Sequence, residues 1–453
     1  MSVKLSKSGR KGDQRDRSTS VTSVTSAPSV PSVCFYFQVH QPYRLSDLRI
    51  TDIGHIMPEK YFDCEKNRAI FRKVAGKCYL PANALLKQLL DMFPDFRIAF
   101  SISGVFLDQC RDFGPDVLDS FKALADTGKV EFLAETYYHS LSAIYSLGEF
   151  CQQVKSHAKA IEKIFGKKPK VFRNTELVYS NEIAEIARQL GFRGILAEGA
   201  DHLLSGRSPN YLYGPPKFRL PKETERLIAK HKIHPKPAMA IKTLLKNYRL
   251  SDDIAFRFSN RTWPGYPLHA DTFADWIRSS GGESVNLFMD FETFGEHQWA
   301  ETGIFEFLKA LPAEFEKRGI STLTPSQVVS RFGRKKTGTF DAHDVVSWAD
   351  IERDLSAWCS NHLQAAAING LYALERSVRG AGDPEILETW RKLQTSDHFY
   401  YLSTKYWNDG DVHKYFSPYE SPYEAYRRFS HALEDLRLIL EKRCKTEDVR
   451  REK

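Results

Sequence analysis

Eight polar side chains stand at or just beyond short apolar runs of this sequence: His40, Ser101, Ser103, Glu135, Glu176, Glu198, Arg257 and Asp290. Carboxylates prefer water, so gathering several at the rim of an apolar framework costs free energy through desolvation and mutual repulsion, and function is the usual reason to keep them there. Paired carboxylates are the equipment of glycoside hydrolysis, one attacking and the other giving and taking a proton at the glycosidic oxygen. Sugar rings also need apolar faces to stack on, and Tyr137, Tyr138, Trp263, Tyr266 and Trp299 lie beside the carboxylates in sequence. The chain is 13% aromatic, so core packing is an equal use for any one of these rings. Several alternatives stand open at this level. Glu292 and Glu296 are close enough to Asp290 to compete with it, and on a continuing strand Glu292 shares its face. Asp290 could pair with Arg257 as a structural ion pair, and His40 could be a satisfied core histidine.

The elements that would position these groups follow a clear rhythm. Strand-length apolar runs at Val33–Val39, Arg97–Ser103, Val130–Glu135, Lys170–Asn174, Gly194–Glu198, Asp253–Phe258 and Val285–Asp290 alternate with helical patterns. In one of these, Asn181–Leu190, the residues Ile183, Ile186, Ala187 and Leu190 share a helical face, with Ser180 placed to cap and Gly191 to stop it. Seven such units predict an α/β fold, an incomplete (β/α)7 barrel over residues 32–335, with its functional groups at the C-terminal strand ends. Near Arg334 the stretch "GRKKTGTFDAHD" breaks the pattern. Beyond it Ile351, Leu355, Trp358 and Leu363, and later Tyr423, Tyr426, Phe429, Leu433, Leu436 and Leu440, recur at helical spacing. They predict a helical bundle domain over 336–445 that packs on the barrel, followed by a charged tail, 446–453.

A length of 453 residues suits two domains, and 42% hydrophobic content suits a sizeable core. No apolar run approaches the roughly 20 residues that span a bilayer, and no apolar stretch follows the basic N-terminus as a secretion signal would. The expectation is a soluble, cytoplasmic protein with no membrane partner. Cys34, Cys64, Cys78, Cys110, Cys151, Cys359 and Cys444 form no Cys-x-x-Cys pair, so neither a disulfide framework, a metal site nor another cofactor is expected. Residues 1–31 hold six basic and two acidic residues, half of the net charge of +8, in a Ser/Thr/Val-rich stretch. That reads as a disordered, solvated tail and not as a nucleic-acid arm. Nothing in the pattern implies a particular oligomeric state.

Five stretches together resemble glycoside hydrolase family 57: "HQPYRL" at His40–Leu45, "VEFLAETYYHSL" at Val130–Leu141, "FRNTELVYSNEIA" at Phe172–Ala184, "FMDFETFGEHQW" at Phe288–Trp299 and "SDHFYYL" at Ser396–Leu402. They span most of the chain, and the Glu176 and Asp290 segments in that order are its most specific part. Their order and spacing look like the α-amylase branch, which has a (β/α)7 barrel and a helical domain completing the cleft. The resemblance implies Glu176 as nucleophile and Asp290 as acid/base in a retaining cleavage of α-1,4-glucosidic bonds of α-glucans or maltooligosaccharides. It places His40 beside the nucleophile and puts Glu135, His139 and Asp397 in the other family segments. His40 and Asp397 would contact sugar hydroxyls and Glu135 would give electrostatic support, with Trp263 and Trp299 as stacking candidates. A 4-α-glucanotransferase with the same intermediate is the nearest alternative, and a glucan-binding regulatory protein without turnover is a second. A metal-dependent deacetylase on a similar barrel is disfavoured, since no Asp/His ligand set of suitable spacing accompanies His40.

Overall fold

All eight residues of the segment SVCFYFQV, Ser32–Val39, are buried, so both faces of this strand must be covered, as in parallel sheets flanked by helices. The computed structural model describes residues 30–54, 58–405 and 410–451. Its seven main strands are β1 (Ser32–Val39), β2 (Ile98–Ile102), β3 (Val130–Phe132), β4 (Val171–Phe172), β5 (Gly194–Glu198), β6 (Lys242–Lys246) and β7 (Ser284–Asp290). Each pairing between them is parallel. β1 lies between β2, with Phe37 opposite Phe100, and β7, with Gln38 opposite Asp290. β2 continues to β3, and β4 to β5 and β6. A bridge between Ala134 and Phe172 joins the two groups, with the Ala134 N–H donating to Val171 O at 3.1 Å. At the other side Asn247 N–H donates to Asn286 O at 2.9 Å, and Asn286 Nδ2 to Leu245 O at 2.8 Å, tying the end of β6 to β7. Two short strands, Tyr213–Gly214 and Gly338–Thr339, extend the sheet beyond β6.

Six of the seven expected runs contain a strand; Asp253–Phe258 does not. Its first residues close the helix Tyr248–Ala255, and the sixth strand is β6, ahead of it. The Asn247 side chain accepts from Leu250 N–H at 3.1 Å, which commits the chain to helix before the alternating "DIAFRF" is reached. β6 escapes a hydrophobicity reading because lysines bracket only two leucines in "KTLLK". Arg257 is therefore not at a strand end, and its partner is Asp253, at 2.7 Å, rather than Asp290. The helix Asn181–Leu190 forms as expected: Ser180 Oγ accepts from Ile183 N–H at 3.2 Å, and Gly191 takes the left-handed φ of 105° that stops it.

After residue 340 the chain is mainly helical, including His362–Ala373, Pro384–Lys392, Ser396–Tyr400 and Pro422–Arg451. Ile351, expected on a helical face, lies outside any helix and is 77% exposed. The last helix continues through residues 446–451 of the expected charged tail; residues 452–453, and 1–29 of the expected N-terminal tail, lie outside the described residues. No helix among the described residues is long and apolar enough to cross a membrane.

Glu149, fully buried on the helix Leu147–Phe165, ties this helical segment to the strands. It accepts from Arg379 Nη2 at 2.6 Å and Arg391 Nε at 2.7 Å, two residues of the C-terminal helices. Removing one partner of a buried ion pair strands the other charges, so Glu149→Ala is expected to destabilise the fold by about 3 kcal/mol. Urea unfolding checks this; a change under about 1 kcal/mol would mean the arginines are satisfied by solvent.

Candidate active site

Past the C-terminal ends of the strands lies a cavity of about 450 Å3, lined by both candidate carboxylates, Glu176 and Asp290, with His40, His139, Lys246, Glu292, Trp348 and Asp397. Glu176 follows β4 in a tight turn with φ 58° and ψ 25°, a left-handed conformation that costs a non-glycine residue about 1 kcal/mol. Surrounding bonds hold it there: Leu177 N–H to Asn174 O at 3.0 Å, and Trp348 N–H to Glu176 O at 3.2 Å. The carboxylate accepts from Trp348 Nε1 at 2.8 Å and from Ser396 Oγ at 2.9 Å, and faces His139 Nε2 at 3.4 Å. Burial pushes its pKa up, but the His139 hydrogen bond and charge and the Arg173 guanidinium outweigh that and leave it below the ordinary value.

His139 bridges two carboxylates, meeting Glu135 Oε2 with Nδ1 at 3.0 Å, and its ring stacks on His40 with centroids 3.9 Å apart. Burial disfavours its charge, yet the two carboxylates raise its pKa to about 9, so it is an imidazolium at neutral pH. Glu135 is fully buried and does not line the cavity; it accepts from Ser101 Oγ at 2.8 Å and Gln38 Nε2 at 3.2 Å. Against its burial, the His139 bond brings its pKa down to about 2. His40 sits between Ser103 Oγ, 2.7 Å, and Asp397 Oδ2, 3.0 Å. Burial and the charge of His139 keep its pKa low. Burial raises Asp397, but the flanking imidazoles carry it well below the usual carboxylate range.

Asp290 ends β7. Burial, then the negative charge of Glu176, push its pKa up to about 6, with Arg173, Lys246 and His139 pulling the other way. Its competitors are otherwise engaged. Glu292 accepts from the Tyr79 hydroxyl at 2.5 Å, and burial with the Asp290 charge lifts it to about 8, so it is mostly protonated at neutral pH. Glu296 pairs with Lys73 at 2.7 Å and Lys77 at 3.6 Å. Environments that drive neighbouring carboxyls apart in pKa are how one site holds a nucleophile ionised beside an acid that is still protonated.

The sequence model of "Glycosyl hydrolase family 57" matches residues 34–343. The chain belongs to this family. It is 43% identical over 415 residues to a Methanocaldococcus jannaschii protein named "Putative alpha-amylase", covering 89% of this chain and 83% of that one. Among solved structures, the family 57-type branching enzyme of Pyrococcus horikoshii superposes with a TM-score of 0.59 at 16% identity, over 85% of this chain and 88% of that chain. The 4-alpha-glucanotransferase of Thermococcus litoralis gives 0.52 at 17% identity; the match covers 85% of this chain and 54% of that one. These structural likenesses concern the fold.

Not every expected residue of this family 57 site meets the cavity. Trp263 is half-buried, edge-on to Trp276 with centroids 6.0 Å apart, and packs on the core; Trp299 is 60% exposed with Lys77 over its ring. Neither lines the cavity. The expectation that no Asp/His set accompanies His40 also needs correction: His40, His139 and Asp397 bring ligand-type atoms within 4.8 Å of one another. Both His139 nitrogens face carboxylates, however, and a protonated ring offers no lone pair to a metal. Sequence reasoning missed Arg173, Lys246, Trp348 and Ser396. Arg173 and Ser396 lie inside quoted family segments, and Lys246 ends the strand that was misplaced. Trp348 stands in the irregular stretch after Arg334, where no periodicity points to it. A hydrogen bond to a charged group is worth about 1.5–3 kcal/mol, so Trp348→Phe, which keeps the ring and removes the N–H, is expected to lower kcat about 10- to 100-fold. Steady-state kinetics on maltoheptaose would show this, and a loss under about threefold would leave the bond without a catalytic role.

Proposed function

We propose that this family 57 chain is a retaining glycoside hydrolase that cleaves α-1,4-glucosidic bonds of α-glucans through a glycosyl ester on Glu176, with Asp290 as acid and base. The observation that carries this is a single cavity holding an ionised carboxyl, Glu176, and a second carboxyl, Asp290, raised to about 6 partly by the charge of the first. Asp290 protonates the leaving oxygen while Glu176 attacks the anomeric carbon, and Asp290 then activates the water that releases the sugar. His40 and Asp397 contact sugar hydroxyls, and Glu135 holds the His139 imidazolium against the nucleophile. In this reading the seven parallel strands are the wall of an incomplete (β/α)7 barrel over 32–335, and the helical segment from 336 completes the cleft through Trp348 and Ser396.

Incubation with maltoheptaose, with products followed by chromatography and proton NMR, tests the proposal. Shorter products that first appear as the α-anomer are expected. Initial β-anomer would mean inversion and a different role for Glu176. Products longer than the substrate would make the chain a 4-α-glucanotransferase with the same ester, and binding without turnover would make it a glucan-binding protein.

A further inference from the structure

Arg173 is a fully buried cation with no part yet in this reaction. It follows β4 directly, its backbone N–H donating to Ala134 O at 2.8 Å. Among the described residues none of its three guanidinium nitrogens makes a hydrogen bond. The nearest anion is Glu135 Oε2 at 3.8 Å, and the guanidinium lies over the Trp348 ring, 4.9 Å from its centroid. That same indole donates to Glu176. Burying a cation without hydrogen bonds is far costlier than burying an apolar side chain of similar volume, so packing alone does not account for arginine here.

We propose that Arg173 is a positioning residue: a fixed counter-charge, bonded to neither carboxylate, that serves whichever of Glu176 and Asp290 carries the negative charge. The inference rests on the glycosidase reading above. In the first half-reaction a Glu176 oxygen bonds the anomeric carbon as the glycosidic C–O bond breaks. The electron pair goes to the leaving oxygen, which takes the Asp290 proton, so negative charge has moved from Glu176 to Asp290. In the second half Asp290 takes a proton from water, the water oxygen bonds the anomeric carbon, and the ester bond breaks to return the electron pair to Glu176. A cation bonded to one of the two would favour one half-reaction over the other. His139, clamped between Glu135 and Glu176, is of that kind, and Lys246 is engaged with Asp252 at 3.2 Å and Glu198 at 3.8 Å. The guanidinium is always charged and lowers both carboxyls. Among the described residues the other titratable groups facing the pair are His139, Lys246 and Asp397, with Glu292 beside Asp290 and mostly protonated at neutral pH.

The test is the pH profile of kcat/KM on maltoheptaose for wild type, Arg173→Gln and Arg173→Lys, with thermal melting of each. Removing the positive charge raises both carboxyl pKa values, so both limbs of the Gln profile are expected to move up by about one pH unit. Its kcat should fall about tenfold or more while KM changes little, and Lys should restore most of kcat. Limbs at the wild-type positions in a folded Gln variant would overturn the proposal. If the Gln variant does not fold, Arg173→Lys decides. A buried amine holds its proton less firmly than a guanidinium, so part of the positive charge is lost, Asp290 rises and the alkaline limb of this variant should lie above that of wild type; a merely scaled wild-type profile would overturn the proposal. A wild-type protein inert on maltoheptaose would sink the glycosidase reading and this inference together, whereas an active wild type with unshifted variants sinks only the inference.

Discussion

Glu176→Ala is expected to lower turnover on maltoheptaose on the order of 10^4-fold or more, because among the described residues no other carboxylate lining the cavity is both ionised and free to bond the anomeric carbon. Glu135 is buried outside the cavity lining, Asp397 is engaged by His40, Asp252 by Lys246, Asp350 by Lys405 and His413, and Glu292 is mostly protonated at neutral pH. The substitution leaves Trp348 Nε1, Ser396 Oγ and the His139 imidazolium around the vacated space, donors that had all been directed at one carboxylate. That environment should welcome a small anion, so azide is expected to restore part of the lost activity on an activated aryl maltoside and to yield a β-glycosyl azide detectable by mass spectrometry. Activity above about 1% of wild type without azide, or rescue that gives an α-azide, would place the nucleophile elsewhere.

β1, β5 and β7 are mostly apolar and buried on nearly every residue, and burial on both faces is what a parallel strand writes into its composition. β6 is equally buried but flanked by lysines, while "DIAFRF" alternates like a strand; the cap at Asn247 decided between them, and a cap outweighs a six-residue alternation. Within the site, the acidic residues were visible because carboxylates at strand ends are rarely needed for folding. The partners that set their charge states come from distant segments. Ser396 is 220 positions from Glu176 and Trp348 is 172, and no local pattern encodes such a meeting. Trp263 and Trp299 show the converse: aromatic type and nearness in sequence to a carboxylate do not place a ring in a cleft when packing on Trp276 or exposure beside Lys77 is available.

Asp290→Asn should separate the two half-reactions. General acid–base assistance contributes about 10^2- to 10^4-fold, so kcat/KM on maltoheptaose is expected to fall by that range. With a dinitrophenyl maltoside the leaving group departs without protonation, so ester formation should stay fast; hydrolysis of the ester still needs a base, and the intermediate should accumulate on Glu176 as a burst of released phenol. The pH dependence carries the sign. In wild type the acid role needs Asp290 protonated, a fraction that falls as pH rises through about 6, while the nucleophile needs Glu176 ionised, which holds above a pKa already below the ordinary carboxylate value. Activity should therefore rise at low pH, peak, and decline through about pH 6, and the alkaline limb alone should vanish in Asp290→Asn. An Asn variant that keeps this limb would assign it to another group, and Glu292, at about 8 and two residues away, would be the first to examine.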